Sequence, residues 1–181
     1  TEIIEFHKSN RKLKYNLYLA QSPLRSDAQT TIIEKATELG VAGIYPIYTD
    51  NCVLKKNVID NKIDKWKNTM FAASKQCERA NIPICFPLSS LDEVVHCRKF
   101  DKVIALCEKD TEKNLKEYLR ETPIKEKEDV LAIIGPEGGF SDKEFGYFKT
   151  HSIPRLSLGD LILKAETAVI VSIGNIVYES I

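Results

Sequence analysis

The sequence predicts an α/β protein with a mainly parallel sheet flanked by helices. Short apolar segments of strand length alternate with helical segments along almost the whole chain, which is the pattern of repeated β–α units. The segment 130–134 is a continuous apolar run, as expected for a strand that is covered on both faces. Neither an internal repeat nor a low-complexity linker interrupts the pattern, so one principal domain is expected over residues 15–181.

The first half of the chain is predicted to contain three strands and two helices. Asp27 can cap the first helix, and Gly40 is placed to end it. The second helix is predicted to be long because Ile63, Trp66 and Met70 recur at helical spacing. In order, these elements are a strand over 15–20, a helix over 27–39, a strand over 44–48, a helix over 58–79 and a strand fragment over 82–86.

The second half repeats the alternation with clearer helix starts. Ser90 with Glu93, and Ser141 with Glu144, form capping boxes, while Asp110 or Thr111 is expected to open a further helix. The last helix is apolar nearly all round, which predicts burial on more than one side. The elements are a helix over 90–97, strands over 103–107, 130–134 and 153–158, and helices over 110–121, from 141, and over 165–179.

Composition restricts the class of function. Lys and Arg together number 26, as do Asp and Glu, so the chain lacks the basic excess of a dedicated nucleic-acid binder. Any RNA contact must come from a local patch, a partner chain or a part that is missing. The five cysteines are widely spaced, and neither a signal peptide nor a run of transmembrane length is seen. A cytoplasmic protein without membrane association is expected.

The sequence gives no sign of a metal site. His7, His96 and His151 are far apart, and no cysteine pair has Cys-x-x-Cys spacing. His96 and Cys97 are adjacent, but neighbouring side chains diverge on a helix or strand, so a catalytic pair is not expected.

Two glycine loops are the strongest indication of a ligand. The predicted strand 130–134 ends at the glycine-rich segment 135–139, and a second loop at Leu158 and Gly159 leads into the last helix. Loops at the ends of neighbouring strands are how α/β proteins build ligand pockets. Neither loop matches a phosphate-binding motif. The alternative is a tight strand-to-helix connection that needs positive φ at its glycines.

Four ordered segments give this chain a family resemblance. IGPEGGFS at 134–141, LGDLILKAETA at 158–168, EKATELGV at 34–41 and AASKQCER at 72–79 resemble motifs of the RsmE family of ribosomal RNA uridine-N3 methyltransferases, which is of the SPOUT class. The chain departs from the family pattern at three positions. Leu161 and Lys164 stand where the family usually has arginines, and Glu78 stands where it usually has a glycine.

The resemblance implies a fold and an activity. The expected fold is a SPOUT-type α/β knot with a C-terminal trefoil knot, assembled as a homodimer. The expected activity is S-adenosylmethionine-dependent methylation of uridine N3 in 16S ribosomal RNA, with that RNA or the small ribosomal subunit as partner. The family also carries an N-terminal RNA-binding barrel of the PUA type, of which residues 1–14 would be a remnant and linker; a solvated edge strand and turn explains them about as well.

The resemblance also implies site residues. Arg79 could stabilise uracil oxygens or bind phosphate, or it is a surface arginine. Glu166 could accept a proton, although capping the last helix is favoured. The three implied cofactor loops contain Leu106, Cys107 and Glu108; Ile134, Gly135, Pro136, Glu137, Gly138 and Gly139; and Leu156, Leu158, Gly159, Ile162 and Leu163.

Two rival hypotheses remain open from the sequence. One is a SPOUT methyltransferase with another RNA target. The other is a non-catalytic RNA-associated module that retains the fold, which the missing arginine at Leu161 would permit.

Overall fold

A computed structural model describes residues 12–181 of the chain. Predictions for residues 1–11 therefore lie outside the described residues. The strands are β1 (Asn16–Gln21), β2 (Gly43–Tyr48), β3 (Ile84–Cys85), β4 (Ser89–Ser90), β5 (Lys102–Leu106), β6 (Lys113–Asn114), β7 (Asp129–Ile134) and β8 (Arg155–Ser157). The helices are α1 (Ser26–Glu38), α2 (Lys56–Asp60), α3 (Ile63–Gln76), α4 (Leu91–His96), α5 (Leu115–Glu121), α6 (Asp142–Thr150) and α7 (Ala165–Glu179).

The strands form one parallel sheet in the order β3-β2-β1-β7-β5-β8-β6, and β4 pairs separately with β2. The most apolar strands, β1, β7 and β5, occupy its centre. In the register, Gln21 lies opposite Ile134, and Leu106 lies opposite both Ile134 and Leu156. The carboxyl ends of β5, β7 and β8 therefore meet at one edge. The prediction of a parallel α/β sheet is confirmed.

Helices cover both faces of the sheet, because alternate residues of each central strand point to opposite faces. On β1, Leu17 and Leu19 pack in the core beneath α1, α3, α5 and α7. Tyr18 and Ala20 pack on the other face with residues of α4 and α6. Both faces of the central strands are thus dry, which explains their unbroken apolar sequences.

Helix α7 is buried on one face, whereas its sequence predicted burial on more than one side. Its buried residues are Val169, Ser172, Ile173 and Ile176, which recur every three to four positions. The opposite face is half-exposed, and Tyr178 is 75% exposed. Packing among residues 12–181 does not explain the apolar character of that second face.

Several predicted boundaries were wrong for local reasons. The predicted helix over 58–79 is two helices, α2 and α3, separated by a turn at Asn61 and Lys62; asparagine favours such turns because its side chain competes with the helical backbone. Helix α1 begins before Asp27 and has no side-chain cap. Asn114, rather than Asp110 or Thr111, caps α5 through a capping box with Glu117.

The predicted strands over 82–86 and 153–158 are shorter than expected. Only Ile84–Cys85 pairs with β2, and Pro83 cannot donate a ladder hydrogen bond. Strand β8 covers Arg155–Ser157, after Pro154. Two-residue strands such as β4 and β6 are too short to produce a period in the sequence.

Candidate functional site

The described residues form a pocket where the chain leaves β5, β7 and β8. Strand β5 lies between β7 and β8, so the two glycine loops are not on adjacent strands as the sequence predicted; the loop after β5 completes the pocket between them. The first turns of α7 close one side through Ala165 and Ala168. The remaining lining residues are Leu106, Cys107, Glu108, Lys109, Ile134, Gly135, Pro136, Glu137, Gly139, Phe140, Phe145, Leu158, Gly159, Asp160, Leu161, Ile162 and Leu163.

Glycine is needed at these loop positions for different structural reasons. Gly139 and Gly159 have φ angles of +67° and +122°, which side-chain-bearing residues rarely adopt. Gly135 has no such φ, but a Cβ atom there would lie 3.3 Å from the Phe140 ring. The loop after β7 is therefore a tight connection between β7 and α6, and its backbone also lines the pocket.

The lining combines apolar walls with a local excess of negative charge. Leu106, Ile134 and Phe140 are buried at the base of the pocket. The lining contains three carboxylates, those of Glu108, Glu137 and Asp160, and one amine, that of Lys109. Such a lining attracts a ligand with positive charge and disfavours a polyanion such as a triphosphate.

Leu161 and Ile162 belong to the lining and are also 80% and 81% exposed. Two adjacent apolar side chains exposed at a pocket mouth are placed to contact whatever enters it.

The loop after β7 is held in place by the start of α6 and by the loop after β2. Ser141 and Glu144 make the predicted capping box, with the Ser141 Oγ accepting from the Glu144 N–H. The buried Glu144 carboxylate also accepts from the Asp50 N–H at 3.1 Å. The Ser141 hydroxyl donates to the Asp50 carboxylate at 2.6 Å. These bonds fix the direction in which the chain leaves the glycine loop.

A buried arginine fixes the loop after β5. Arg155 donates from Nε to the Asp110 carbonyl oxygen at 2.9 Å, and its Nη2 lies 2.8 Å from the Glu112 carboxylate. Asp110 has a positive φ of 54°. Lys149 pairs with the Asp110 carboxylate, and this hydrogen bond is the main reason that the pKa of Asp110 is lowered. The arginine thereby anchors the segment that presents Glu108 and Lys109.

Cys107 lies in the lining but is unsuited to nucleophilic chemistry. Burial raises the pKa of Cys107 to about 12. Its thiol is therefore neutral near pH 7, and the neutral thiol is a poor nucleophile.

The structure brings the predicted cofactor residues together, with the exception of Gly138 and Leu156, which are outside the lining. Leu156 is fully buried in β8, and Gly138 faces Asn51 rather than the pocket. The sequence prediction missed Lys109, Phe140, Phe145, Ala165 and Ala168, whereas Asp160 and Leu161 lie inside the third predicted loop, between Gly159 and Ile162. Lys109, Phe140 and Ala165 are within two residues of a predicted position, whereas Phe145 and Ala168 lie on α6 and α7 and enter the lining through the packing of these helices.

The two predicted catalytic residues are outside the pocket lining. The Arg79 guanidinium donates to the carbonyl oxygens of Thr37 and Val41, at 2.6 and 2.9 Å. Burial lowers the pKa of Arg79. Its role here is to bind the end of α1, which neither interpretation of it foresaw. Glu166 lies half-buried in the first turn of α7, whose N-cap residue is Lys164, and both roles considered for Glu166 stay predictions.

A mainly parallel sheet with a backbone-lined pocket at its carboxyl edge defines an α/β protein with a candidate site for a small ligand. The family model described as an RNA methyltransferase domain matches residues 11–177, and this chain belongs to that family.

Named relatives agree with this assignment. The chain is 31% identical over 172 residues to ribosomal RNA small subunit methyltransferase E of Mesomycoplasma hyopneumoniae, covering 93% of this chain and 72% of the relative. A Legionella pneumophila protein described as a methyltransferase, solved with the cofactor SAM, is 33% identical with a TM-score of 0.83, covering 92% of this chain and 67% of that one.

The fold is also that of ribosomal RNA small subunit methyltransferase E from Neisseria gonorrhoeae, solved with S-adenosyl methionine (TM-score 0.76, 21% identity, covering 89% and 65%). Among residues 12–181, no helix combines the length and apolarity needed to cross a membrane.

Proposed function

We propose that this chain uses S-adenosylmethionine to methylate N3 of a uridine in 16S ribosomal RNA. The observation that carries the proposal is the pocket formed by the loops after β5, β7 and β8. The names of the relatives supply the substrate class, since one is a small-subunit ribosomal RNA methyltransferase and another was solved with SAM.

The lining suits S-adenosylmethionine. This cofactor carries a sulfonium and an ammonium but no phosphate, and the pocket offers three carboxylates against one lysine. Backbone groups at Gly135 and Gly139 can bind the adenine, and Leu106, Ile134 and Leu158 can pack against its ring and the ribose. Glu137, which is exposed in the loop, is suited to hold the ammonium. When bound, the cofactor supplies the methyl group for in-line displacement by the uracil nitrogen.

Uracil N3 becomes a good nucleophile only after it loses its imide proton, so the site needs a proton acceptor and a means of holding the base. The carboxylates in the lining, Glu108, Glu137 and Asp160, are better placed for proton transfer than Glu166, which lies outside it. The exposed Leu161 and Ile162 can pack against an unstacked base.

The assembly expected for the SPOUT class fits the outer surface of α7. We infer a homodimer in which the half-exposed apolar face of this helix, together with Tyr178, is covered. The trefoil knot and a cytoplasmic location belong to the same proposal.

Calorimetry with S-adenosylmethionine tests cofactor binding. Nucleoside mass spectrometry of 16S ribosomal RNA incubated with enzyme and cofactor tests methylation. We expect binding and the appearance of N3-methyluridine. Absence of binding would favour the non-catalytic RNA-associated module. Binding, with methylation of a different RNA only, would favour the rival target.

A further inference from the structure

The structure brings together two of the three histidines that are far apart in the sequence. His96 ends the short helix α4, and His151 follows α6 on the same face of the sheet. Their rings are 5.5 Å apart between centroids. Asp92, one turn before His96, completes the group: one nitrogen or oxygen atom from each of the three residues lies within 4.8 Å of those of the other two.

In each histidine, one ring nitrogen, Nδ1, makes a hydrogen bond to a backbone carbonyl oxygen. The Nδ1 of His96 lies 2.9 Å from the Asp92 carbonyl oxygen, and the Nδ1 of His151 lies 2.9 Å from the Tyr147 carbonyl oxygen. A carbonyl oxygen can only accept, so Nδ1 is the donor in both rings, and in the neutral imidazole this leaves the lone pair on Nε2. Histidine ligands of metals are held in the same way, by an N–H bond from the other nitrogen.

The carboxylate is oriented as well. The Tyr147 hydroxyl donates to Asp92 Oδ1 at 3.1 Å, and its ring stacks on His151 at 3.9 Å. His96 Nδ1 also approaches Oδ1, at 3.2 Å. Among the described residues, both of these contacts use Oδ1, which leaves Oδ2 for a ligand.

We propose that Asp92, His96 and His151 bind a divalent transition-metal ion, with Zn²⁺ as the probe of choice. Two imidazoles and one carboxylate suit zinc, cobalt and nickel, whereas magnesium and calcium prefer oxygen-only sites. Tetrahedral zinc ligands lie about 3.3 Å apart. All three side chains are exposed, so their rotamers can adjust toward this spacing. The bound ion would tie α4 to α6 and keep an open coordination position for solvent or a partner.

The test is calorimetric titration of Zn²⁺ into the full chain and into single variants. We expect one site that His96→Ala and His151→Ala each weaken about 10-fold or more, with a smaller loss for Asp92→Asn. His7→Ala is the matched control and should bind as the parent does. If an alanine variant does not fold, His151→Gln preserves a polar side chain of similar reach and should show the same loss.

Cobalt distinguishes these ligands from the chain's five cysteines. We expect Co²⁺ to give weak visible bands without the intense near-ultraviolet band of thiolate ligation. We expect Zn²⁺ to raise the thermal midpoint of the parent and of His7→Ala more than that of His96→Ala or His151→Ala. Binding that survives both histidine variants, a thiolate band, or no binding at all would overturn the proposal. None of these measurements uses S-adenosylmethionine, so the metal site can fail its test while the proposed methyl transfer passes its own, and the reverse.

Discussion

The side chain of Asn51 donates to the carbonyl oxygen of Gly139 at 3.1 Å, although 88 residues separate the two in sequence. The same amide lies 3.2 Å from the Gly138 carbonyl oxygen. A Cβ atom at Gly138 would approach the Asn51 Cβ to 3.2 Å. The loop after β2 thus supports the outer side of the glycine loop, while the inner side of that loop faces the pocket.

Removing this support should weaken cofactor binding. We expect Asn51→Ala to lower the affinity for S-adenosylmethionine about 5-fold, since two partly exposed hydrogen bonds that hold the loop are lost. Asn51→Asp should lower it further, because its carboxylate would face two carbonyl oxygens. Calorimetry measures both variants. Parent-like affinity in both would show that the loop holds its shape without Asn51.

Side chains at Gly135 should act on binding through Phe140. The Cβ of Gly135→Ala would meet the Phe140 ring at 3.3 Å, so we expect a loss of affinity of a few-fold; the larger Gly135→Val should abolish binding. Gly146→Ala in α6 is the control, because nothing lies within 4 Å of its Cβ. Circular dichroism establishes that each variant is folded. Retained affinity in Gly135→Val would place the cofactor elsewhere.

The sequence predicted the position of the pocket better than it predicted the contacts of individual residues outside it. Glycine loops at the ends of apolar strands are local features, so Gly135, Gly139 and Gly159 could be assigned to one pocket without coordinates. Roles that depend on residues distant in sequence could not be assigned in this way. The bonds from Arg79 to the end of α1 and the meeting of His96 with His151 depend on packing between elements, which leaves no period or spacing in the sequence.

The departure from the family pattern at Glu78 has a backbone explanation. Glu78 has a φ of 54° and follows the C-cap of α3, where the Arg79 N–H bonds to the Ser74 carbonyl oxygen and the Glu78 N–H bonds to that of Lys75. This is the Schellman arrangement, whose left-handed residue is usually glycine. We expect Glu78→Gly to raise the free energy of unfolding by about 1 kcal/mol. Glu78→Ala keeps the strained φ and should give no gain; chemical denaturation measures both.

The half-buried thiol of Cys107 should resist alkylation. Its pKa is raised to about 12, so almost no thiolate is present at pH 8, and reactivity should rise with pH only in the strongly alkaline range. The exposed Cys97 serves as the internal control. Peptide mapping after brief iodoacetamide treatment should find Cys97 modified well before Cys107, and added S-adenosylmethionine should protect Cys107 further. Equal labelling of the two would contradict the raised pKa of Cys107.

Arg79 provides the clearest separation of a structural from a catalytic role. Its guanidinium binds the Thr37 and Val41 carbonyl oxygens on either side of Gly40, which has a φ of +98° and ends α1. Arg79→Ala should therefore lower the free energy of unfolding by about 2 kcal/mol, because charged donors are lost from two half-buried acceptors. Turnover per folded molecule should remain close to the parent value, since the side chain is not part of the pocket lining. Arg79→Lys restores the charge but not the two-pronged geometry and should recover only part of the stability. A large fall in turnover without a fall in stability would instead return Arg79 to the catalytic role that the family resemblance implied.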